Sequence, residues 1–286
     1  MLTKIRNIFS GRIGKGPERL ADIPEVSLFE DTSVEIGISK IREPDHKKGN
    51  IDHESHMRVI AKDYEDASKI CFENINSALM KKTVMYGDDS LSGYVGSQGL
   101  LKVLSITMNG NPLTAYPVFN AGNPAFARIT GVTECQSTYE GQVEAYMSGS
   151  TLTFFDVLYF RNKHRYTPGK DVNVVISGIA YVLTKARTAQ GKKKGAKHRI
   201  VGEPQLLIRY ENGDIDDYVF RGIVEEVREF EVYGMKAQAI KTSFLAGTEG
   251  NPIDIYICAT RNSINEKISP GDHISGIIWL QGFAIF

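Results

Sequence analysis

Residues 167–179 read TPGKDVNVVISGI, and residues 269–280 read SPGDHISGIIWL. In each stretch proline fixes the first corner of a turn, and glycine accepts a positive φ at the second. The apolar residues that follow alternate, as they do in a strand with one buried face. The residues predicted to share that face are Val172, Val174 and Ile176 in the first strand and Ile274, Gly276, Ile278 and Leu280 in the second. Each stretch therefore predicts a tight reversal followed by a β-strand.

The two stretches lie in parts of the chain that carry similar landmarks in the same order. In residues 126–181 and again in 220–277, an opening glycine is followed by a second glycine and then by an apolar–Asp–apolar strand. A Pro-Gly turn and an Ile-Ser-Gly-Ile strand come next in both parts. This order is consistent with an internal duplication. It is equally consistent with two small β-domains that share only glycine turns and alternating aliphatic residues, and both interpretations stay open.

The pattern after residue 100 favours a barrel or sandwich, because short runs of Val, Ile, Phe and Tyr alternate with Gly, Pro and Asn turns. The fold class that we predict is mainly β (α+β overall), with one or two small antiparallel Greek-key barrels in the C-terminal half and a helix-containing N-terminal segment. The predicted divisions are a polar, partly extended segment 1–57, a helix and hairpin region 58–122, a first barrel-like domain 123–200 and a second barrel-like domain 201–286.

Two local patterns define the helix and hairpin region. Residues 58–80 carry apolar side chains spaced mostly by three or four, which is typical of an amphipathic helix. Residues 101–108 and 113–119 read as strands on either side of Asn109-Gly110, a dipeptide that favours the positive φ angles of a tight hairpin turn.

Three segments of the second β part read FRGIV (220–224), IDIYI (253–257) and SPGDHISG (269–276). This arrangement resembles the OB-fold, a five-stranded Greek-key barrel used for oligonucleotides or protein partners. Residues 263–268 are predicted to form the short helix that OB-folds place between their third and fourth strands. The resemblance covers at most residues 126–286 and implies no catalytic residues, and a fold does not define a function.

Composition and charge exclude several classes of protein. The 286 residues contain 34 basic and 34 acidic side chains, so no net charge attracts polyanions. The three widely spaced cysteines argue against a disulfide scaffold. No apolar run approaches the roughly 20 residues that span a bilayer. We therefore expect a soluble, cytoplasmic protein without integral membrane insertion.

The polar stretch 30–56 contains His46, His53 and His56 among acidic residues. Histidine and carboxylate side chains bind metals, but structural zinc sites usually include thiolates, and the cysteines lie far away in sequence. We interpret this stretch as a solvated loop, and we expect neither a metal site nor a cofactor.

A run of cations between the two predicted barrels indicates one candidate binding site. Residues 185–199 contain seven positive charges and no acid, and residues 154–166 interleave aromatic with basic side chains. Cations contact phosphates, and aromatic rings stack on bases in single-strand binders. The candidate nucleic-acid-binding residues are Arg187, Lys192, Lys193, Lys194, Lys197, Arg199, Phe155, Tyr159, Arg161, Lys163 and Arg165. The alternative is that the aromatics belong to the core and the loop is merely solvated, and eight acids in residues 211–231 would repel nucleic acid or pair with the loop.

The chain carries no nucleophile elbow, no His-Glu-x-x-His pair and no dinucleotide fingerprint. We therefore predict a non-enzymatic binding or assembly protein that recognises a macromolecular partner through the loops and exposed edges of its barrels. Two alternatives remain, a single-stranded nucleic-acid-binding protein that uses loop 185–199 and a structural subunit of a larger assembly. The predicted partner is accordingly a protein, a second copy of the chain, or single-stranded nucleic acid.

Overall fold

The computed structural model describes residues 23–29, 33–36, 53–96, 99–186, 205–244 and 251–286. The fold is mainly β, as predicted, and its strands form one sheet of five and one sheet of nine. The residues of the N-terminal part form β1 (Val34–Ile36), α1 (Glu54–Met57), α2 (Tyr64–Ser77), β2 (Met80–Tyr86), β3 (Asp89–Val95), β4 (Leu101–Met108) and β5 (Asn111–Phe119).

The five-stranded sheet has the order β1-β2-β3-β4-β5, in which β1 runs parallel to β2 and the other neighbours are antiparallel. The hairpin between β4 and β5 forms as predicted, with φ of 50° at Asn109 and 84° at Gly110. The predicted helix 58–80 is shorter than expected. The side chain of Asp63 accepts a hydrogen bond from the Asp66 amide and caps the helix, so α2 begins at Tyr64.

The nine-stranded sheet is built from the rest of the chain. Its strands are β6 (Ala125–Glu134), β7 (Gly141–Met147), β8 (Ser150–Asp156), β9 (Asp171–Lys185), β10 (Leu206–Arg209), β11 (Asp217–Val232), β12 (Met235–Phe244), β13 (Ile253–Thr260) and β14 (His273–Ile285). A short helix, α3 (Tyr159–Asn162), and a 3₁₀ turn (Lys163–Arg165) connect β8 to β9.

Strand pairing closes two five-stranded circuits within this sheet. One circuit runs β6-β7-β8-β14-β9 and returns to β6, and the other runs β11-β12-β13-β9-β14 and returns to β11. Both circuits therefore contain β9 and β14, each of which contributes different parts of its length to the two circuits. Each circuit also contains one parallel pair, which is β8 with β14 in the first circuit and β13 with β9 in the second. In these two pairs the structure differs from the predicted antiparallel barrels. The predicted division at residue 200 lies between β9 and β14. The segments on its two sides therefore each contribute one strand to the other segment's circuit.

The two circuits agree in detail as well as in order. A register shift lies between Ile129 and Gly131 where β6 pairs with β7, and a corresponding shift lies between Val224 and Glu226 where β11 pairs with β12. If these positions are taken as equivalent, the parallel pair Phe155–Gln281 corresponds to the parallel pair Cys258–Ile179.

The same equivalence places Pro168-Gly169 on Pro270-Gly271, so the two Pro-Gly turns precede corresponding strands. One landmark of the sequence comparison does not correspond. Asp156 ends β8, whereas Asp254 lies at the start of β13.

The predicted alternation on β9 and β14 is confirmed. Val174, Ile176, Ile278 and Leu280 belong to one buried cluster together with the aliphatic residues of the other barrel strands. The intervening side chains of the same strands belong to a second cluster, which also includes apolar residues of the five-stranded sheet. Among them are Val175, Ile179, Trp279 and Phe283. The five-stranded sheet therefore packs against the outer face of the strands that the two circuits share.

We expect neither predicted β-domain to fold alone, because each circuit takes one of its five strands from the other segment. Fragments 123–200 and 201–286, expressed separately, should show no cooperative transition in urea by circular dichroism. Co-expression should recover β-structure that is absent from either fragment. A cooperative transition of fragment 201–286 alone would contradict the shared-strand arrangement.

Candidate functional site

The cationic loop that the sequence suggested lies outside the described residues. This applies to Arg187, Lys192, Lys193, Lys194, Lys197 and Arg199. The other candidate residues, on β8, on α3 and in the turn after it, are described and are placed as follows.

Phe155 and Tyr159 lie in the interior rather than on a binding surface. The ring of Phe155 packs 4.9 Å from that of Tyr116 and 5.1 Å from that of Trp279, measured between centroids. Tyr159 stacks on Tyr166 and donates a hydrogen bond to Glu134 at 3.1 Å. Bases cannot stack on rings that are already covered, so in this structure these two residues belong to the core, the alternative that the sequence left open.

The three cations of this region are held in ion pairs within the protein. Glu35 on β1 contacts Arg161 at 2.8 Å and Arg165 at 3.3 Å, and it contacts Lys82 of β2 at 3.0 Å. Lys163 pairs with Glu134 at 3.1 Å and donates to the carbonyl oxygen of Thr138.

Burial by itself would raise the pKa of Glu35, but hydrogen bonds from Arg161 and Lys82 outweigh burial and hold this pKa below its ordinary value. A carboxylate that stays charged keeps its cations in place. Arg161 and Arg165 therefore connect the turn after β8 to the five-stranded sheet. Sequence reasoning missed this role because Glu35 lies more than 120 residues away.

The structure brings together a polar network that the sequence did not predict. His53 and His56 approach each other at 2.8 Å between their Nδ1 atoms. The Nε2 atom of His53 lies 2.8 Å from Oε1 of Glu140, and Ser137 donates to the other oxygen of Glu140 at 3.2 Å. The two histidines are buried, so the prediction of a solvated loop was wrong at these positions.

An aromatic stack extends this network to the barrels. The ring of His56 lies nearly parallel to that of Trp279 on β14, with 3.8 Å between centroids. The indole Nε1 of Trp279 donates to Oδ2 of Asp216 at 3.0 Å. All of these side chains are buried where the residues before α2 meet the barrels. The described residues contain no group of three or more His, Cys, Asp or Glu arranged to hold a metal ion. We assign the network to the packing of the two sheets.

Hydrogen bonding restricts the protonation of this network. Only one of the two facing Nδ1 atoms can carry a hydrogen, since two N–H groups would point at each other. Burial, together with the neighbouring His53, keeps the pKa of His56 well below its ordinary value. Burial has the opposite effect on an acid and raises the pKa of Asp216 to about 7, although the bond from Trp279 lowers it.

These pKa shifts predict opposite pH dependences of stability. Because the folded pKa of His56 is depressed, the unfolded chain binds more protons below about pH 6.5, and the free energy of unfolding falls as pH drops. We expect His56→Phe, which keeps a ring against Trp279, to reduce this fall between pH 7 and 5 by up to about 1.4 kcal/mol per pH unit. Urea unfolding at several pH values measures the effect. If the free energy of unfolding fell with pH as steeply in the variant as in the wild type, the prediction would be wrong.

Asp216→Asn is the counterpart variant. The contribution of Asp216 is greatest below about pH 4 and is lost as the pH rises towards 7, because the folded state retains the proton. The asparagine oxygen still accepts from Trp279, so we expect the variant to lose less stability than the wild type between pH 5 and 7.

The clearest exposed feature of the barrels is a row of four aliphatic side chains, which we name the aliphatic row. Backbone register aligns Ile208 with Val219, Val219 with Ile277, and Ile277 with Val182, across β10, β11, β14 and β9. Ile208, Val219 and Val182 are 57%, 41% and 51% exposed, and Ile277 is half-buried. No single stretch of sequence indicates this row, because its members come from four strands.

The aliphatic row is flanked mostly by polar residues on one side and reaches a sheet edge at one end. Two residues along each strand, the next aligned positions are Leu206, Arg221, Ser275 and Thr184. Among the described residues, β10 pairs only with β11, so its outer hydrogen-bonding edge has no strand beside it. The row therefore ends at a sheet edge.

No protein-family model matches the chain, and a comparison with curated proteins found no similar sequence. Within the part of the chain that the structure describes, no helix is long and apolar enough to cross a membrane.

Proposed function

We propose that this chain is a non-enzymatic binding or assembly protein that recognises a macromolecular partner through the outer faces and edges of its barrels. The observation that carries this proposal is the aliphatic row. Cross-strand pairs of β-branched residues stabilise a sheet whether or not they are covered. However, this row is about half exposed, and burying its apolar surface against a partner would be favourable.

The dimensions of the aliphatic row suit a protein contact. Four strands about 4.8 Å apart give a row roughly 14 Å long. The adjoining positions Arg221, Ser275 and Thr184 supply polar groups beside it. Apolar centres with polar margins are common at protein interfaces.

The partner that we propose for this face is a second copy of the chain. Two copies that paired their β10 edges antiparallel, around a two-fold axis, would bring the two Ile208 residues close together and continue the row through both molecules. The same contact would occupy the open edge of β10.

We also propose that each circuit is an OB-fold-like barrel and that the two arose by duplication with exchange of one strand. Shared strand order, matching register shifts and the corresponding Pro-Gly turns support this interpretation. The helical turn Tyr159–Arg165 lies between the third and fourth strands of the first circuit. Residues 263–268 of the second form turns and bends instead of the predicted helix. This fold assignment does not define the partner.

Light scattering at micromolar concentration tests the assembly. We expect a defined dimer for the wild type and a monomer for Ile208→Lys, because the two lysines would face each other across the two-fold axis and repel. Val34→Lys is the matched control, since Val34 is a β-branched residue on a strand of the other sheet and is 61% exposed, close to the 57% of Ile208. Both variants should still unfold cooperatively on heating, which shows that each remains folded.

A wild-type monomer at these concentrations would contradict self-assembly. Loss of the dimer in both variants would place the contact elsewhere.

A further inference from the structure

A second exposed surface lies on the first circuit, away from the aliphatic row. A hollow of about 340 Å³ is lined by Phe126 on β6 and by Phe286, together with Lys170, Asp171 and Asn173. Phe126 is 65% exposed and Phe286 is 39% exposed. An exposed aromatic ring in a shallow hollow offers a face on which a planar ring can stack.

The strands hold one side of this hollow in place. Phe126 is aligned with Asn173, and Asn173 is aligned with Ile285 on β14. On the other side, Tyr166 contacts the ring of Phe286 edge-on at 5.2 Å between centroids. Tyr166 is itself fixed by a hydrogen bond of 2.6 Å to Asp156. The ring of Phe286 is therefore oriented by groups within the barrel.

Two cations lie against the ring of Phe286. The Nζ atom of Lys170 is 4.7 Å from the centroid of Phe286, and Cζ of Arg165 is 5.9 Å from it. The Lys170 ammonium group therefore belongs to the lining of the hollow, where it can contact an anionic group attached to a planar ring.

The next aligned positions repeat the same chemistry. Arg128 lies two residues beyond Phe126 on β6 and is aligned with Tyr146 on β7, which is 49% exposed. Two residues along a strand cover about 6.8 Å, enough to separate two unstacked bases. Aromatic, cation and aromatic therefore follow one another across the surface.

We propose that this surface binds a nucleobase together with its phosphate, as part of a single-stranded nucleic acid. One base enters the hollow and stacks on the exposed ring of Phe126, its phosphate contacts Lys170, and the adjoining base stacks on Tyr146. Neutral rings and cations in this order recognise the backbone and the faces of bases without reading sequence. This proposal does not depend on the self-assembly proposed above, because Val182 and Ile277 of the aliphatic row lie far along β9 and β14 from Asn173 and Ile285 beside the hollow.

One carboxylate opposes the ligand and gives the proposal a sharp test. Asp171 accepts hydrogen bonds from Arg128 at 2.7 and 3.1 Å, and these bonds hold the pKa of Asp171 below its ordinary value. Asp171 thus remains charged beside the place assigned to a phosphate. Removing this charge with Asp171→Asn should strengthen binding of an anion and should not strengthen binding of a cationic peptide.

Fluorescence anisotropy with a fluorescein-labelled oligo-dT of about twelve nucleotides, in low salt, tests the site. We expect Phe126→Ala to weaken binding about fivefold or more, which is the usual effect of removing one stacking ring. Lys170→Ala should weaken binding and reduce the dependence of log K on log salt by about one phosphate contact. Asp171→Asn should bind more tightly than the wild type.

Matched controls separate the site from general surface effects. Phe72→Ala removes an exposed phenylalanine from α2, and Lys81→Ala removes a lysine that lies over the ring of Tyr94. Both controls should bind as the wild type does. Adenosine monophosphate distinguishes a free nucleotide from a strand. If it displaces the oligonucleotide and shows the same variant pattern, the shared base-and-phosphate chemistry is supported.

The proposal is overturned if neither ligand binds, if Phe126→Ala binds as well as the wild type, or if Asp171→Asn weakens binding, as a cationic protein partner would require. Ile208→Lys should keep wild-type oligonucleotide affinity. Light scattering would therefore reveal a failure of self-assembly, whereas fluorescence anisotropy would reveal a failure of this site.

Discussion

The rest of the structure depends on the antiparallel pairing of β9 with β14. This pairing runs through twelve residue pairs, from Lys185 with Ile274 to Asn173 with Ile285. Each strand is long enough for one part of it to close one circuit while another part closes the other. Both circuits need both strands, so the chain cannot complete one barrel and leave the second unformed. Gly276 and Gly282 permit this pairing, because a Cβ at either position would meet a backbone carbonyl oxygen of β9.

The outward face of these two strands is divided between two environments. At one end the five-stranded sheet covers Trp279 and Phe283, and the histidine pair packs against the indole. At the other end Val182 and Ile277 lie beyond this cover and keep part of their surface exposed. All four residues are apolar, so the difference in exposure follows the extent of the neighbouring sheet.

Polar side chains that are buried or half-buried connect different parts of this protein. Glu35 on the first sheet is held by cations from the turn after β8, and Glu140 from the loop before β7 is hydrogen-bonded to His53. A buried ion is tolerated only when partners replace its hydration. These contacts are therefore specific to one arrangement of the two sheets, which apolar packing alone would define less sharply.

Local features of the sequence determined the strands, the hairpin at Asn109-Gly110, the Pro-Gly turns and the inward face of the barrels. These depend on backbone preferences and on a two-residue period, which act over a few neighbouring residues. Only the tertiary structure decided that β9 pairs with β14, that His53 and His56 are buried, and that Phe155 is covered while Phe126 is exposed. A strand has two faces, and its sequence does not say which distant surface will cover each of them. Which surface covers each face depends on the pairing of segments that lie about a hundred residues apart. For the same reason, the aligned rows on the barrel surface cannot be found in any single stretch of the chain.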